Sequence, residues 1–372
     1  MNAPQKLHEL GQSLWLDNIT RGLLDSGTLK SYLSDYSISG LTSNPTIFEQ
    51  AIRGSNFYDD AIRQKFAQGK SQSATFFELA LEDLTRAADM LLPIHKLTAG
   101  VDGWVSLEVS PLLAGDAAGT VREAIRLYAE ARRDNLFIKI PGTPAGLVAI
   151  EEAIFAGVPV NVTLLFSQAQ YLAAAEAYLR GIERRVAAGL DPKVGSVASI
   201  FVSRWDVAVK DKVPKNLANR LGIAIARQTY GAYRALLMSP RWAKLSEAGA
   251  MPQRLLWAST GTKDPAAPDA MYVEALAATG TINTMPEKTL LAFAEHGTIS
   301  NTPDGTMEAD GGDVDEVLAD FSMSDIDLPA LAEELQRDGL KSFEKSWNDL
   351  MTVIAAKSAP VVEDAATEAA PS

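Results

Sequence analysis

Asn135-Leu136-Phe137-Ile138-Lys139-Ile140-Pro141-Gly142-Thr143 holds an apolar run of strand length, Leu136 to Ile140, closed by Pro141-Gly142. Continuous apolar runs of this kind belong to strands buried on both faces, as in parallel sheets. Alternation puts Leu136, Ile138 and Ile140 on one face and Phe137 with Lys139 on the other. A lysine in such a strand leaves bulk water, which disfavours its ammonium form and draws its pKa below the free value of about 10.4. A partly neutral amine is a nucleophile toward carbonyl groups. The alternative is a lysine at a strand end whose head snorkels to solvent, with no chemical role.

On either side of this segment, strand and helix patterns alternate about eight times. Strands are expected at Ser13–Asp17, Ile38–Asn44, Gly103–Val109, Leu136–Ile140, Val158–Leu165, Val194–Phe201 and Arg254–Ser259, with a less apolar eighth at Gly280–Thr284. Helical patterns cover Thr20–Tyr36, two long stretches between Pro45 and Lys96, Ala117–Arg133, the segment opened by Thr143-Pro144, and Ser167–Ala188, where Ser167 and Gln170 form a capping box. A further helical region runs on to about Glu247. This alternation predicts an α/β fold, a (β/α)8 TIM barrel with parallel strands and extra C-terminal helices. The amphipathic stretch Leu328–Ala356 is expected to pack on the barrel exterior. Residues 1–357 read as a single barrel domain including those helices, and residues 358–372, rich in Ala, Pro and Glu, as a disordered tail. Gly297–Asp315 reads as an exposed acidic loop without the spacing of a calcium-binding loop.

In a barrel of this kind the working groups sit at the C-terminal ends of the strands, facing the mouth. One face of strand after strand ends in a polar group: Trp15 with Asp17, then Gly40, Thr42 and Asn44, then Trp104, Ser106 and Glu108. Phe137 goes with Lys139, Asn161 with Thr163, Val197 and Ser199 with Phe201, and Trp257 with Ser259. Leu14, Leu16, Val105, Leu107, Val109, Ile138, Val160 and Val162 lie opposite, suited to contact with helices. Glu108 lies in an apolar strand where an unpaired carboxylate is costly, and Lys139 on the next strand is its expected partner. Asp17 could cap a helix, but Thr20 is nearer to the helical pattern and can do so. Asn44-Pro45 resembles a cap followed by proline, while Thr46 with Glu49 offers an alternative box that would leave Asn44 free. Arg204 after the sixth strand and Lys263 after the seventh supply cations where barrels commonly bind phosphate.

Composition narrows the classes. With 372 residues, 47% hydrophobic and 22% charged, the chain can bury a large core. A formal net charge of −13 argues against nucleic acid as a partner. There is no cysteine, and His8, His95 and His296 lack metal-ligand spacing, so no metal is expected. The N-terminal segment has no apolar signal core and no run could span a bilayer, which predicts the cytoplasm and no membrane partner. Gly69-Lys70-Ser71 resembles the end of a phosphate-binding P-loop, but Gln64 stands where its first glycine belongs, in a helical context. No Gly-x-Gly-x-x-Gly follows the first strand, so no dinucleotide and no other cofactor is expected.

Together, Leu16-Asp17, Leu41-Thr-Ser-Asn-Pro45, Val105-Ser-Leu-Glu-Val109, Ile138-Lys-Ile140, Asn161-Val-Thr-Leu-Leu-Phe-Ser167 and Ser199-Ile-Phe-Val-Ser-Arg204 resemble the transaldolases, class I Schiff-base enzymes of the pentose phosphate pathway. The longer bacterial branch, with extra C-terminal helices, is the most similar. The resemblance implies Lys139 as the Schiff-base lysine, Glu108 and Asp17 as acid/base carboxylates, and Thr163 as the residue positioning a catalytic water. It implies Asn44, Asn161 and Ser199 as substrate-hydroxyl contacts and Arg204 as a phosphate ligand; Thr42, Phe201 and Ser259 join them as substrate-facing positions. Ser259-Thr-Gly-Thr-Lys263 is longer than the family's usual segment, so Lys263 is carried over as the second phosphate contact across a departure. The implied reaction transfers a dihydroxyacetone unit from sedoheptulose 7-phosphate to glyceraldehyde 3-phosphate, giving erythrose 4-phosphate and fructose 6-phosphate, in a monomer or homodimer. The alternatives are cleavage of the fructose 6-phosphate aldolase type, whose members resemble this chain but carry tyrosine where Phe201 stands, and a barrel that only binds sugar phosphates.

Overall fold

The computed structural model describes residues 1–299, 307–308 and 312–359. Most of the expected acidic loop and nearly all of the expected tail lie outside the described residues. In order, the chain runs α1 (Ala3–Glu9), β1 (Ser13–Leu16), α2 (Arg21–Asp25), α3 (Thr28–Asp35), β2 (Ile38–Leu41), α4 (Pro45–Arg53), α5 (Asp59–Ala67), α6 (Gln72–Leu97), β3 (Trp104–Glu108), α7 (Ala117–Ala131) and β4 (Leu136–Pro141). It continues through α8 (Pro144–Phe155), β5 (Val160–Leu165), α9 (Gln168–Ala187), β6 (Ser196–Phe201), α10 (Ser203–Val209), α11 (Leu221–Leu237), α12 (Pro240–Glu247) and β7 (Gln253–Ala258). The last elements are α13 (Met271–Ala275), β8 (Ile282–Met285), α14 (Glu287–His296), α15 (Val314–Met323) and α16 (Leu328–Ser358).

The eight strands form a closed parallel barrel in sequential order, β1 pairing with β8, as the alternation predicts. Alternation sorts the apolar side chains into two layers. Leu14, Val105, Ile138 and Val162 pack outward under the helices. Trp15, Trp104, Phe137, Val197, Leu256 and Ile282 fill the interior, with Trp104 stacked on Phe137 at 4.0 Å between centroids. Space for these rings comes from Gly40: a Cβ there would lie 2.5 Å from the Trp15 ring.

Three expectations need correction. Trp257 was placed on the interior face, but it packs outward under the helices while Leu256 points inward. The pattern predicted one helix over Thr20–Tyr36; two form, separated at Gly27, whose φ of 79° suits a residue without Cβ. Last, α16 is not confined to the barrel exterior. It crosses the C-terminal mouth, where Gln336 Nε2 donates to the carbonyls of Gly142 and Leu164 at the ends of β4 and β5, at 3.1 and 2.9 Å. Its distal half packs on α4, α5 and α6, with Trp347 against Phe76 and Phe77. An amphipathic period shows which face is buried and not what buries it.

Candidate active site

Glu108 and Lys139 are register partners on β3 and β4, and alternation sends both inward, where each is 5% exposed. Lys139 Nζ lies 3.3 Å from Glu108 Oε2 and donates at 3.1 Å to the Ser43 carbonyl just past β2. The pairing anticipated from the sequence is present, for the reason given there: each charge, taken from water, needs the other. Burial raises the pKa of Glu108 above its ordinary value, and Lys139 offsets this only in part. Asp17, immediately after β1, accepts a hydrogen bond of 2.7 Å from Thr42 Oγ1, and Thr42 is itself 2.6 Å from Thr284 Oγ1. Burial raises the pKa of Asp17 as well, with the charge on Lys139 and the Thr42 hydroxyl pulling it back. Two carboxyl groups, each with its pKa raised by burial and drawn back by Lys139, therefore flank one lysine.

Asp17 and Lys139 open onto a cavity of about 380 Å³ at the C-terminal ends of the strands, walled among others by Thr163, Ser199, Arg204 and Phe343. Thr163 reaches it by the expected parity, and β5 turns irregular just beyond it. The register with β6 shifts between Val162 and Leu165, and Leu164 takes a left-handed φ of 58°. For a leucine this conformation is strained, and it turns Leu164, outward by parity, into the interior cluster with Phe166 and Phe201. Among the described residues the buried Thr163 hydroxyl has no hydrogen-bond partner, which leaves a donor and acceptor on the cavity wall.

Arg204, in the first turn of α10, supplies the positive end. Its guanidinium carbon lies 5.1 Å from the Phe201 ring centroid and 6.0 Å from that of Phe343. Among the described residues it has no ion pair and no hydrogen bond, and burial lowers its pKa. A desolvated guanidinium without a counter-ion on a cavity wall is suited to gripping a phosphate with two donors at once. Lys263 lines the same cavity. Ser259 does too, although the correction to Trp257 removes the parity that was to bring it there. Its own φ of 57° turns it back inward after β7 ends, and its hydroxyl meets that of Ser203 at 2.9 Å.

Two expected contacts are placed differently. Asn44 is not freed by an alternative cap: its Oδ1 accepts from Ile47 N at 3.1 Å, while the Thr46 hydroxyl is engaged by Ser346. Asn44 still lines the cavity. Thr20, as expected, caps α2 and leaves Asp17 available. Asn161 is fully buried off the cavity wall, its amide nitrogen on Ser106 Oγ at 3.1 Å and its oxygen accepting from Ser199 Oγ at 2.7 Å. It ties β3, β5 and β6 together next to Lys139. Thr42, Ser199 and Phe201 stand on the wall as read. Gln50, Thr284 and Phe343 also line it without having been singled out. Thr284 shares the inward parity of the eighth strand and was accessible to the same rule; Phe343 carried no local signal. Among the described residues no group of three or more His, Asp or Glu side chains is arranged to hold a metal ion, and no helix is long and apolar enough to cross a membrane.

Residues 14–354 match a family model described as Transaldolase/Fructose-6-phosphate aldolase. The chain is 42% identical over 360 residues to a transaldolase of Arthrobacter sp. (strain FB24), covering 94% of this chain and 96% of that one. It is 43% identical over 366 residues to a transaldolase of Thermobifida fusca (strain YX), covering 95% and 98%. A transaldolase of Thiobacillus denitrificans is 41% identical over 362 residues, covering 95% of this chain and the whole of its own length.

Proposed function

This chain belongs to the transaldolase/fructose-6-phosphate aldolase family, and from that premise we infer that it is a transaldolase, moving a dihydroxyacetone unit from sedoheptulose 7-phosphate to glyceraldehyde 3-phosphate. The relatives named transaldolase match nearly end to end, which favours transfer over aldolase-type cleavage. The observation that carries the chemistry is the buried Lys139 in contact with Glu108, with Asp17 on the same cavity.

Lys139 Nζ adds to the ketone carbon of the donor. Glu108, in contact with Lys139 Nζ, gives a proton to the departing hydroxyl of the carbinolamine, and a water held by the Thr163 hydroxyl relays it. Loss of water leaves an iminium that draws electrons from the bond between C3 and C4. Asp17 takes the proton of the C4 hydroxyl as that bond breaks; its raised pKa makes it a stronger base than an exposed aspartate. The aldose phosphate departs and a three-carbon enamine stays on Lys139. Addition of the enamine to the second aldehyde, then hydrolysis, frees the new ketose and the amine. Arg204, with Lys263, grips the phosphate of donor or acceptor, and Asn44 and Ser199 contact hydroxyls. The enzyme is assigned to the cytoplasm and to a monomer or homodimer.

The test is borohydride reduction in the presence of fructose 6-phosphate, which should add mass to the peptide containing Lys139. Lys139→Met should abolish turnover and keep the fold, because methionine fills similar space and Glu108, whose pKa burial raises, can take up a proton once the lysine is gone. An adduct on another lysine, or an active variant, overturns the assignment.

A further inference from the structure

We propose that Phe343 is a selectivity-determining residue, a ring that shields the Lys139-bound enamine from protonation and so commits it to transfer. The proposal rests on the transaldolase reading. Three points on one face of α16 hold the helix across the mouth. Gln336 binds the carbonyls that end β4 and β5, and Ser346 Oγ meets Thr46 Oγ1 at 2.7 Å. Between them, Gly339 sits so close that a Cβ would lie 2.9 Å from Leu164 Cδ2 and 3.1 Å from Arg204 Nη1. Phe343 is one helical turn beyond Gly339 and therefore shares its face.

Its ring is 5% exposed and is the contribution of α16 to the cavity wall. The centroid lies 5.8 Å from Lys139 Nζ and 6.0 Å from the guanidinium carbon of Arg204. One side chain thus touches the surroundings of both ends of a bound sugar phosphate, the covalent end and the phosphate end. Both fates of the enamine finish with hydrolysis of an iminium, so the branch point is what reaches the nucleophilic carbon first. Formation of a bond to the acceptor aldehyde gives transfer. Addition of a proton there, followed by water across the iminium, returns the Lys139 amine and frees dihydroxyacetone. A hydrocarbon ring beside that carbon carries no proton to give and displaces water that does.

The experiment measures dihydroxyacetone released from fructose 6-phosphate without acceptor, against transfer to erythrose 4-phosphate, in wild type, Phe343→Ala and Phe343→Leu. Because release and transfer share one enzyme-bound intermediate, their ratio does not depend on how much of a variant is folded. The ratio should rise on the order of tenfold in Phe343→Ala, equivalent to about 1.4 kcal/mol between the two barriers, and less in Phe343→Leu, which refills part of the space. Should Phe343→Ala not fold, a rise in Phe343→Leu carries the test. An unchanged ratio, with all proteins still trapped on Lys139 by borohydride, overturns the role of Phe343 alone. Failure of wild type to be trapped on Lys139 overturns the reading beneath it.

Discussion

Replacing Arg204 with methionine separates what this residue contributes to function from what it contributes to folding. The guanidinium is desolvated, faces a cavity, and has no anionic partner among the described residues; burial lowers its pKa with nothing to offset the effect. Among the described residues its attractive neighbours are the rings of Phe201 at 5.1 Å and Phe343 at 6.0 Å, together worth about 1–2 kcal/mol. Methionine keeps an apolar stem against both rings. Loss of the buried charge offsets loss of the cation–π contacts, so stability should change by less than about 1 kcal/mol, roughly 2 °C in Tm for a chain of this size. A phosphate held by the arginine fork makes two charge-assisted hydrogen bonds of about 1.5–3 kcal/mol each. Lys263 in the same cavity retains part of that attraction, leaving a net loss of about 3 kcal/mol, or roughly a hundredfold in kcat/KM. The assay compares kcat/KM for fructose 6-phosphate with that for an unphosphorylated dihydroxyacetone-type donor and records thermal unfolding of both proteins. The phosphorylated donor should lose the hundredfold and the unphosphorylated one far less. Equal losses, or a drop of many degrees in Tm, would show the arginine to be structural and refute the reasoning.

Phe201→Tyr should raise dihydroxyacetone release relative to transfer, since the ring of Phe201 lies on the cavity wall and a phenol there can order or activate a water where phenylalanine cannot; a wild-type enzyme that releases as fast as it transfers would instead favour the aldolase reading. Asp206 accepts from Leu221 N and Gly222 N at the start of α11 and from the Tyr272 hydroxyl of α13, and burial pushes its pKa up to about 6 from 3.8. Its folded-state pKa is raised, so the stability linked to its proton is fully present below the unfolded value and is lost as pH rises to about 6 and beyond, about 3 kcal/mol in all. Asp206→Asn removes that dependence: denaturant midpoints should show the wild type losing ground to the variant between pH 4 and 7, and parallel curves would contradict the assignment.

Much of this site was legible because strand parity is a strict rule. Once Leu136 to Ile140 is read as a strand, Lys139 must face the side opposite Ile138, and sequential parallel order brings Glu108 beside it; both hold. The rule failed wherever the backbone departs from alternation. Trp257 faces the helices, and Ser259 returns to the cavity only through a left-handed residue after β7. Asn161 does share the inward face of Thr163, yet Thr163 lines the cavity while Asn161 is engaged by Ser106 and Ser199. Parity tells on which side of a sheet a side chain stands. It cannot tell that another side chain has already taken its hydrogen bonds. The N-terminal helix α1 was missed although its signal was present, since Asn2 and Gln5 make a reciprocal capping box around Pro4.

The position of α16 marks a different boundary. Its period predicts a helix and an apolar face with near-correct ends, Leu328–Ala356 against the observed Leu328–Ser358. Where the helix lies is decided far away in sequence, by carbonyls at Gly142 and Leu164 that Gln336 can reach and by the absence of a side chain at Gly339. A glutamine and a glycine on the apolar side of an amphipathic helix look locally like flaws: one buries an amide, the other lowers helix propensity by about 1 kcal/mol. Each makes sense only against the barrel mouth, where the amide satisfies two carbonyls that end strands and the glycine lets the helix approach Arg204 closely. Residues that break the local rule are thus the ones that bring Phe343 over Lys139. Chemistry placed by strands could be read from the sequence; the roof over it, placed by long-range contacts, had to be seen.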